Sequence, residues 1–185
     1  MKNKKSGSMT ASDLTYIAFF AALISVCAWI RLPLAIPVTM QSFGVFAATV
    51  LLGGKRAFIC ITLYIFLGAI GLPVFSGFGG GPGILLGNTG GYIFGFLFIP
   101  ILHWITESKF TNSMRASITS LLIGLLLCYT LGTVWYVLVY LKNASAASLL
   151  SVMSVCVAPF ILPDIIKLAL AIILSKKTRK HIRKS

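Results

Sequence analysis

The chain has 185 residues, of which 58% are apolar and only 10% are charged, and its mean hydropathy is +0.97. A soluble domain of this size carries about 25% charged residues, so the composition excludes an ordinary soluble domain and predicts an integral membrane protein. Because each membrane-spanning helix takes roughly 20 apolar residues, about six helices with short loops would use nearly the whole chain. We therefore expect one all-α membrane domain over residues 1–185, with no separate soluble domain.

The first apolar segment runs from Leu14 to Ile30, with Ser12-Asp13 as a possible helix cap. Basic residues precede it, as in a signal peptide, but the run is long and lacks a small-residue cleavage pattern. We interpret it as a retained helix. The following stretch "RLPLAIPVTMQ", from Arg31 to Gln41, contains two prolines and predicts a turn or a short extended link.

Five more apolar segments follow in chain order. Pro73 ends the third of these six segments, and Pro159 and Pro163 interrupt the sixth. The second to sixth predicted segments are Ser42–Leu52, Ala57–Leu72, Thr89–Trp104, Ala116–Leu141 and about Leu149–Leu174.

The placement of Lys and Arg predicts the orientation. With the N-terminus in the cytoplasm, six spans return the C-terminus there. Thirteen basic residues then lie inside against 2 outside, Arg31 and Lys142, and Lys167 lies within the sixth segment. We expect a cytoplasmic segment over residues 1–12, a six-helix bundle over 13–175 and a basic cytoplasmic tail over 176–185. The net charge of +13 then favours contact with anionic lipid head groups over nucleic acid.

A glycine-rich loop is predicted over residues 73–89, leading into the fourth helix. The stretch "GFGGGPGILLGNTGGYIFGF", from Gly77 to Phe96, holds nine glycines in twenty residues. Non-helical backbone at membrane depth is tolerated only where protein or a cavity covers it; the alternative is an exposed flexible loop. The stretch lacks the Gly-Lys-Ser/Thr of a phosphate-binding loop, so nucleotide binding is not expected.

Asp164 is the most informative of the three acids in the chain. It lies in the apolar run "VAPFILPDIIKLALAIIL", with Lys167 three residues later on the same helix face. A charge inside a span costs on the order of 3 kcal/mol and marks substrate or ion paths. The pair is therefore interpreted as a polar clamp facing inward, the alternative being two charges that simply neutralise each other at a helix end.

Asn88, Thr89 and Tyr92 form a second candidate group at the start of the fourth helix. Asn88 and Tyr92 are four residues apart and point the same way if the helix has begun. Gly91 lets a backbone or a ligand approach closely, and amides at a helix N-terminus favour an anionic group.

Two further patterns are weaker. His103 and Glu107 are four residues apart near the inner end of the fourth helix and are expected to be an interfacial pair without a catalytic role. Ala18, Ala21 and Ala22 give the first helix a small-residue face for close helix packing, either inside the bundle or against a partner. No residues are spaced for hydrolysis or for a metal site, and four single cysteines are expected to be buried apolar residues: Cys27, Cys60, Cys128 and Cys156.

Four motifs in this order resemble the BioY family, the biotin-specific substrate-binding (S) components of energy-coupling factor (ECF) transporters. They lie between about Leu14 and Ala171: "PVTMQ", "YIFLGAIGLPVF", "GGGPGILLGNTGGYIFGF" and "PFILPDIIKLALA". Many members have proline where this chain has Asn88, so the resemblance alone assigns that position no role.

The resemblance implies the ECF S-component fold in a bacterial cytoplasmic membrane, with six helices, cytoplasmic termini and a high-affinity biotin site that opens outward. It implies no enzymatic activity and no cofactor. Transport would require two kinds of partner, a membrane scaffold (the T component) and two ABC ATPases. ATP hydrolysis would come from the ATPases, since this chain has no Walker motif. In the family an alanine-rich face of the first helix docks on that scaffold, which points to Ala18 and Ala22.

The candidate residues suit the chemistry of biotin. Asp164 would accept a hydrogen bond from a ureido N–H, and Asn88 can donate and accept. Lys167 and amides near Gly91 would receive the carboxylate, and Tyr92 offers a ring face and a hydroxyl. Gly81 and its neighbours would supply backbone contacts in a mobile lid.

Two alternatives stay open at this point. The first is an S component for another vitamin, such as thiamine or riboflavin. The second is a stand-alone proton-coupled transporter or a small membrane enzyme that uses Asp164 or the pair His103 and Glu107.

Overall fold

The computed structural model describes residues 9–32, 36–110, 113–140 and 157–182. These residues form helices joined by short links, with one small antiparallel sheet that pairs Arg31 with Thr39 and Leu32 with Val38. The elements are α1 Ala11–Trp29, β1 Arg31–Leu32, β2 Val38–Thr39, α2 Gln41–Leu52, α3 Gly54–Ala69, α4 Pro82–Leu85, α5 Gly90–Gly95, α6 Phe98–Lys109, α7 Met114–Tyr140 and α8 Ala158–Ile182.

Helix α2 is the core of the bundle. Every residue from Gln41 to Leu52 is buried except the half-buried Phe43, because α1, α3, α6 and α8 all pack against this helix. A helix that is apolar on all sides is stable only when it is surrounded in this way. Gly53, with φ of 82°, ends α2 and turns the chain directly into α3, and the two helices pack against each other.

Four helical stretches of the described residues are long and apolar enough to cross a membrane: Ala11–Trp29, Gly90–Lys109, Met114–Val139 and Ala158–Lys177. The second and third predicted segments are also helical, as α2 and α3, but they have 12 and 16 residues. At 1.5 Å per residue, α2 is about 18 Å long, against a hydrocarbon core of about 30 Å. The described part of the chain is thus mostly helical and contains four candidate spans.

The predicted cap of α1 was wrong by two residues. The N-cap is Thr10, whose hydroxyl accepts a hydrogen bond of 3.2 Å from the Asp13 amide, while the Asp13 carboxylate accepts one of 3.1 Å from the Thr10 amide. This reciprocal capping box uses Asp13 as the third helical residue. Asp13 also lies 2.9 Å from the Arg56 guanidinium, and this ion pair joins the starts of α1 and α3.

Other predicted boundaries need small corrections. Helix α3 begins at Gly54 rather than Ala57, since a single glycine suffices for the turn, and it ends at Ala69. The fourth segment is divided into α5 and α6 and continues to Lys109 instead of Trp104.

The sixth segment is not interrupted at its prolines within the described residues. Helix α8 begins at Ala158 and continues through Pro163 to Ile182. Pro159 lies in the first turn, where an amide donor has no helical partner to lose, and Pro163 removes one hydrogen bond that the remaining turns tolerate. The part of the prediction that begins near Leu149 lies outside the described residues.

The glycine-rich segment packs against the ends of the helices in a defined conformation. The Trp29 indole donates to the Pro73 carbonyl at 2.9 Å, and the Trp135 indole donates to the Gly87 carbonyl at 2.9 Å. Phe78 stacks on Trp29 with ring centroids 4.8 Å apart. Helices α1 and α7 therefore hold the segment at both ends, which disfavours the alternative of a loose exposed loop.

Candidate ligand-binding site

Asp164 and Lys167 form a buried ion pair on α8. Their residues are only 3% and 5% exposed, and the Lys167 ammonium nitrogen lies 2.7 Å from Asp164 Oδ1. Their three-residue spacing places both on one face of the helix, and that face packs on α2. The pair is thus an internal feature of the bundle rather than a solvated helix end.

Three neighbours complete the hydrogen bonding of this pair. The Ser42 hydroxyl donates to Asp164 Oδ1 at 2.7 Å, and the Tyr129 hydroxyl donates to Asp164 Oδ2 at 2.7 Å. Lys167 donates to the Thr39 carbonyl at 2.6 Å and to Ser42 Oγ at 3.1 Å. Residues from α2, α7, α8 and the end of β2 therefore meet at one polar cluster.

The two charged groups differ in what they can still offer to a ligand. An ammonium has three donors, and the three of Lys167 already reach Thr39, Ser42 and Asp164. A carboxylate oxygen can accept two hydrogen bonds, and one donor, Tyr129, is seen at Asp164 Oδ2. The cluster can therefore take a hydrogen-bond donor at Asp164, while Lys167 holds that carboxylate in place.

A cavity of about 440 Å³ opens next to this cluster, within the size range of small-molecule sites. Its wall combines the polar cluster with aromatic and aliphatic side chains and with backbone of the glycine-rich segment. Its lining residues include Arg31, Thr39, Gln41, Ser42, Phe75, Ser76, Gly83, Gly87, Asn88, Tyr92, Phe96, Tyr129, Phe160, Asp164 and Lys167.

The apolar part of the wall is largely aromatic. Tyr92 and Phe160 stack at a centroid distance of 6.4 Å and an interplanar angle of 19°, and the Tyr92 hydroxyl lies 3.3 Å from Thr133 Oγ1. Phe75 is 1% exposed, and Phe96 extends the same apolar surface. An apolar ring system can lie on this surface with a polar end at Asp164.

Besides Thr39, Ser42 and Tyr129, two further polar side chains of the wall, Ser76 and Arg31, were not predicted as site residues. Ser76 Oγ is buried and has no hydrogen-bond partner among the described residues, although a buried hydroxyl is costly to leave unpaired. Arg31, at the exposed end of β1, also lines the cavity. Both could serve an anionic or acceptor group of a ligand.

Known proteins are similar to this chain over most of its length. The family model described as "BioY family" matches residues 1–184. The chain belongs to the BioY family. A probable biotin transporter BioY of Pyrococcus horikoshii is 38% identical over 170 residues, covering 91% of this chain and 97% of the relative. The biotin transporter BioY of Thermotoga maritima is 37% identical over 170 residues, covering 91% and 96%.

A solved structure is also similar to this BioY family member. It is described as the S-component for biotin from an ECF-type ABC transporter, and it matches with a TM-score of 0.79 at 29% identity. The match covers 94% of this chain and 96% of that chain. The fold of this chain is therefore that of an ECF S component.

Four predicted site residues of this BioY chain line the same cavity: Asn88, Tyr92, Asp164 and Lys167. Asn88 lies in the turn before α5 rather than in the helix. The structure brings the glycine-rich segment and α8 together, as the sequence analysis expected.

The two predicted glycines lie elsewhere. Gly91 is not among the lining residues, because α5 packs there on α7: a Cβ at this position would fall on the Trp135 side chain and 3.0 Å from the Leu131 carbonyl oxygen. Gly81 precedes α4 with φ of 92°, and its amide donates to the Gly68 carbonyl at 2.7 Å. Gly83 and Gly87 are the glycines of this segment that line the cavity.

The sequence offered uneven signals for the lining residues that were missed. Thr39 and Ser42 lie in or beside the quoted motif "PVTMQ", so their neighbourhood was marked although no role was assigned. Arg31 was noticed only as a charge on the outer side. Tyr129 carried no signal, since a tyrosine in a long apolar helix is ordinary.

His103 and Glu107 lie away from the cavity and contact each other in the second half of α6; their position at the membrane interface stays a prediction. His103 is fully buried and its Nδ1 lies 3.0 Å from Ser120 Oγ of α7. Glu107 accepts a hydrogen bond of 2.9 Å from the Gly54 amide at the start of α3, and it lies 3.5 Å from His103 Nε2. These contacts join α3, α6 and α7.

Apart from Cys128, the described cysteines and the alanine face of α1 do not line the ligand-binding cavity. Cys27, Cys60 and Cys128 are buried free thiols, which confirms three of the four cysteine predictions, and Cys156 lies outside the described residues. Among the described residues, no group of three or more His, Cys, Asp and Glu could hold a metal ion. On α1, Ala18 and Ala22 are exposed whereas Ala21 is buried, so the small-residue face is divided between the core and the surface.

Proposed function

We propose that this chain is a biotin-binding S component that captures biotin and passes it across the membrane within an ECF-type transporter. The observation that carries the proposal is the buried Asp164 cluster at the wall of a cavity that the glycine-rich segment and α8 enclose together. It rests also on the BioY family membership and on the biotin transporters and biotin S component described above.

The polar cluster suits the ureido ring of biotin. A ureido N–H would donate to Asp164 Oδ2, beside the Tyr129 hydroxyl, and a hydrogen bond to a charged acceptor is among the stronger ones. Asn88, with an amide that both donates and accepts, would meet the remaining edge of the ring. The fused rings would lie on Tyr92 and Phe160.

The biotin carboxylate needs a different partner from the one first expected. The donors of Lys167 are engaged, and Gly91 packs on α7. Arg31 and the unpartnered hydroxyl of Ser76 both line the cavity. We therefore assign the carboxylate to Arg31, whose guanidinium suits a carboxylate geometrically, with Ser76 as a second donor.

The glycine-rich segment would act as the lid of this site. Gly81 and its neighbours connect the Phe75–Gly79 bridge to α4, and Gly83 and Gly87 face the cavity. Opening of this segment would admit the ligand, and its indole contacts to α1 and α7 would hold it closed.

We also propose that the chain crosses a bacterial cytoplasmic membrane six times, with both termini in the cytoplasm. The basic residues support this orientation, with 13 inside and 2 outside. In that orientation the cavity lies toward the outside, because it is formed at the end of α1 and at the starts of α2 and α8.

The partners would be a scaffold (T) component and two ABC ATPases. The similar S component belongs to an ECF-type ABC transporter, and this chain contains no Walker motif of its own. Exposed Ala18 and Ala22 on α1 would let a scaffold helix approach closely.

Titration of the purified full chain with biotin, riboflavin and thiamine, without partners, tests this function. We expect tight binding of biotin only. Tight binding of riboflavin or thiamine in its place would support an S component for another vitamin. Biotin uptake in cells that lack all ECF ATPases would support a stand-alone proton-coupled transporter. The similar proteins described above, which are named for biotin, favour neither alternative.

A further inference from the structure

A second concave surface lies between α3 and α6, at the end of the bundle opposite the biotin cavity. Helix α2 begins at that cavity with Gln41 and Ser42 and runs away from it. Helix α3 begins where α2 ends, and its first residue, Gly54, contacts Trp104 of α6. We call this second surface the inner groove.

The inner groove is apolar and lies on the surface of the bundle. It has a volume of about 360 Å³ and is lined by Phe58, Ile101, Trp104, Ile105 and Ser108. Trp104 and Ile105 are 44% and 48% exposed, and the Ser108 hydroxyl donates to the Ile105 carbonyl at 2.7 Å. The groove therefore suits an apolar chain better than a polar solute.

Two lysines lie about one helical turn from groove residues, one on α3 and one on α6. Lys55 comes three residues before Phe58 on α3, and Lys109 comes four residues after Ile105 on α6, so each shares a helix face with a groove residue. The start of α3 meets the last turn of α6, where Glu107 accepts from the Gly54 amide at 2.9 Å. Both lysines are exposed.

The acids of the chain are engaged with other groups. Neither lysine forms an ion pair with an acid in the part of the chain that the structure describes. Asp13 pairs with Arg56, Asp164 pairs with Lys167, and Glu107 contacts Gly54 and His103. An apolar groove with a positive rim is complementary to a molecule with an apolar chain and an anionic head.

We propose that the inner groove binds one anionic phospholipid of the inner leaflet. An acyl chain lies along Phe58, Trp104 and Ile105, and the phosphate lies between Lys55 and Lys109. Basic side chains beside membrane helices attract anionic head groups, and a tryptophan favours the level of the head groups. The inference rests on the membrane location and orientation of the chain, and not on the identity of its transported ligand.

The test is lipid retention by the full chain, purified from nanodiscs with equal amounts of phosphatidylglycerol and phosphatidylcholine. Native mass spectrometry then counts the lipids that stay bound after delipidation. The double variant Lys55→Gln, Lys109→Gln removes the rim charge, and Lys176→Gln, Lys177→Gln is the matched control at the exposed end of α8. Ser108→Phe fills the groove without changing its charge.

We expect the wild type and the α8 control to retain one phosphatidylglycerol. The double lysine variant should retain at least tenfold less, and Ser108→Phe should lose it too. Equal retention of the two lipids by the wild type, or unchanged retention in the double variant, would overturn the proposal. So would loss of scaffold assembly in the double variant with lipid retention unchanged, which would make the groove a protein contact.

Biotin titration of the same samples checks the fold independently, because the groove is at the other end of the bundle. Failure of biotin binding in the wild type would count against the proposed function, whereas failure of lipid retention with biotin binding intact would count only against the groove.

Discussion

The Tyr129 hydroxyl on α7 donates a 2.7 Å hydrogen bond to Asp164 Oδ2 on α8. The opposite carboxylate oxygen is held by Ser42 and Lys167, so the orientation of Asp164 is fixed before any ligand arrives. Such preorganisation reduces the ordering cost of binding. On this geometry we propose that Asp164 contacts the ligand and that Lys167 holds the Asp164 carboxylate in position.

The change Asp164→Asn should weaken biotin binding at least tenfold, equivalent to about 1.4 kcal/mol. The side chain keeps its shape but loses the charge that strengthens the hydrogen bond from the ureido ring. Isothermal titration measures the change, with Asp13→Asn at the other end of the bundle as the matched control. Equal affinity in Asp164→Asn and wild type would reduce Asp164 to a structural role.

The change Lys167→Ala should also weaken biotin binding at least tenfold, but for a different reason. Without Lys167, the Asp164 carboxylate is buried without a cation, and its side chain is free to move. Titration and thermal melting, with exposed Lys176→Ala as control, separate the two effects. We expect a folded variant with weak biotin binding and a lower melting temperature. Full biotin affinity would show that Lys167 only neutralises the charge of Asp164.

The change Arg31→Gln should weaken binding of biotin about tenfold while leaving the binding of biotinamide, which lacks the carboxylate, nearly unchanged. Comparing two proteins and two ligands isolates the pairwise interaction between arginine and carboxylate. If both ligands lose affinity equally, Arg31 does not contact the carboxylate.

The change Gly91→Ala should destabilise the protein because its new Cβ would fall on Trp135 where α5 packs on α7. Overpacking of this kind costs about 1 to 3 kcal/mol. Thermal melting should show a lower midpoint for Gly91→Ala than for Gly83→Ala, where a Cβ meets open space. Equal midpoints would show that α5 and α7 can separate at this point without cost.

The change Ala18→Trp should leave biotin binding intact and block assembly with the scaffold. A large side chain on this exposed face prevents the close approach of a scaffold helix. The control is Ile123→Trp, a change at an exposed position of α7. Copurification with the T component measures assembly. A complex that forms normally with Ala18→Trp would remove this face from the interface.

The sequence predicted the helical class and the inward-facing pair of Asp164 and Lys167 for identifiable physical reasons. Long apolar runs show themselves by composition, and a charge within such a run, as at Asp164, has few structural explanations. The residue spacing on one helix correctly placed Lys167 beside Asp164.

Contacts between distant segments were not predictable in the same way. Tyr129 is 35 residues from Asp164 and Ser42 is 122 residues from it, so their meeting depends on how α2, α7 and α8 pack. The role of Gly91 was misplaced for the same reason, since a glycine that admits a ligand and one that admits a neighbouring helix look alike in sequence. Hydrogen bonds that occupy all three Lys167 donors also appear only once the fold is known.

The most direct test of the central claim is equilibrium binding of biotin, and of biotin methylated at both ureido nitrogens, to the purified full chain without partners. The account predicts one tightly bound biotin per chain and at least a hundredfold weaker binding of the methylated compound, which has no N–H to give to Asp164. Equal binding of the two compounds, or no binding of biotin, would contradict it.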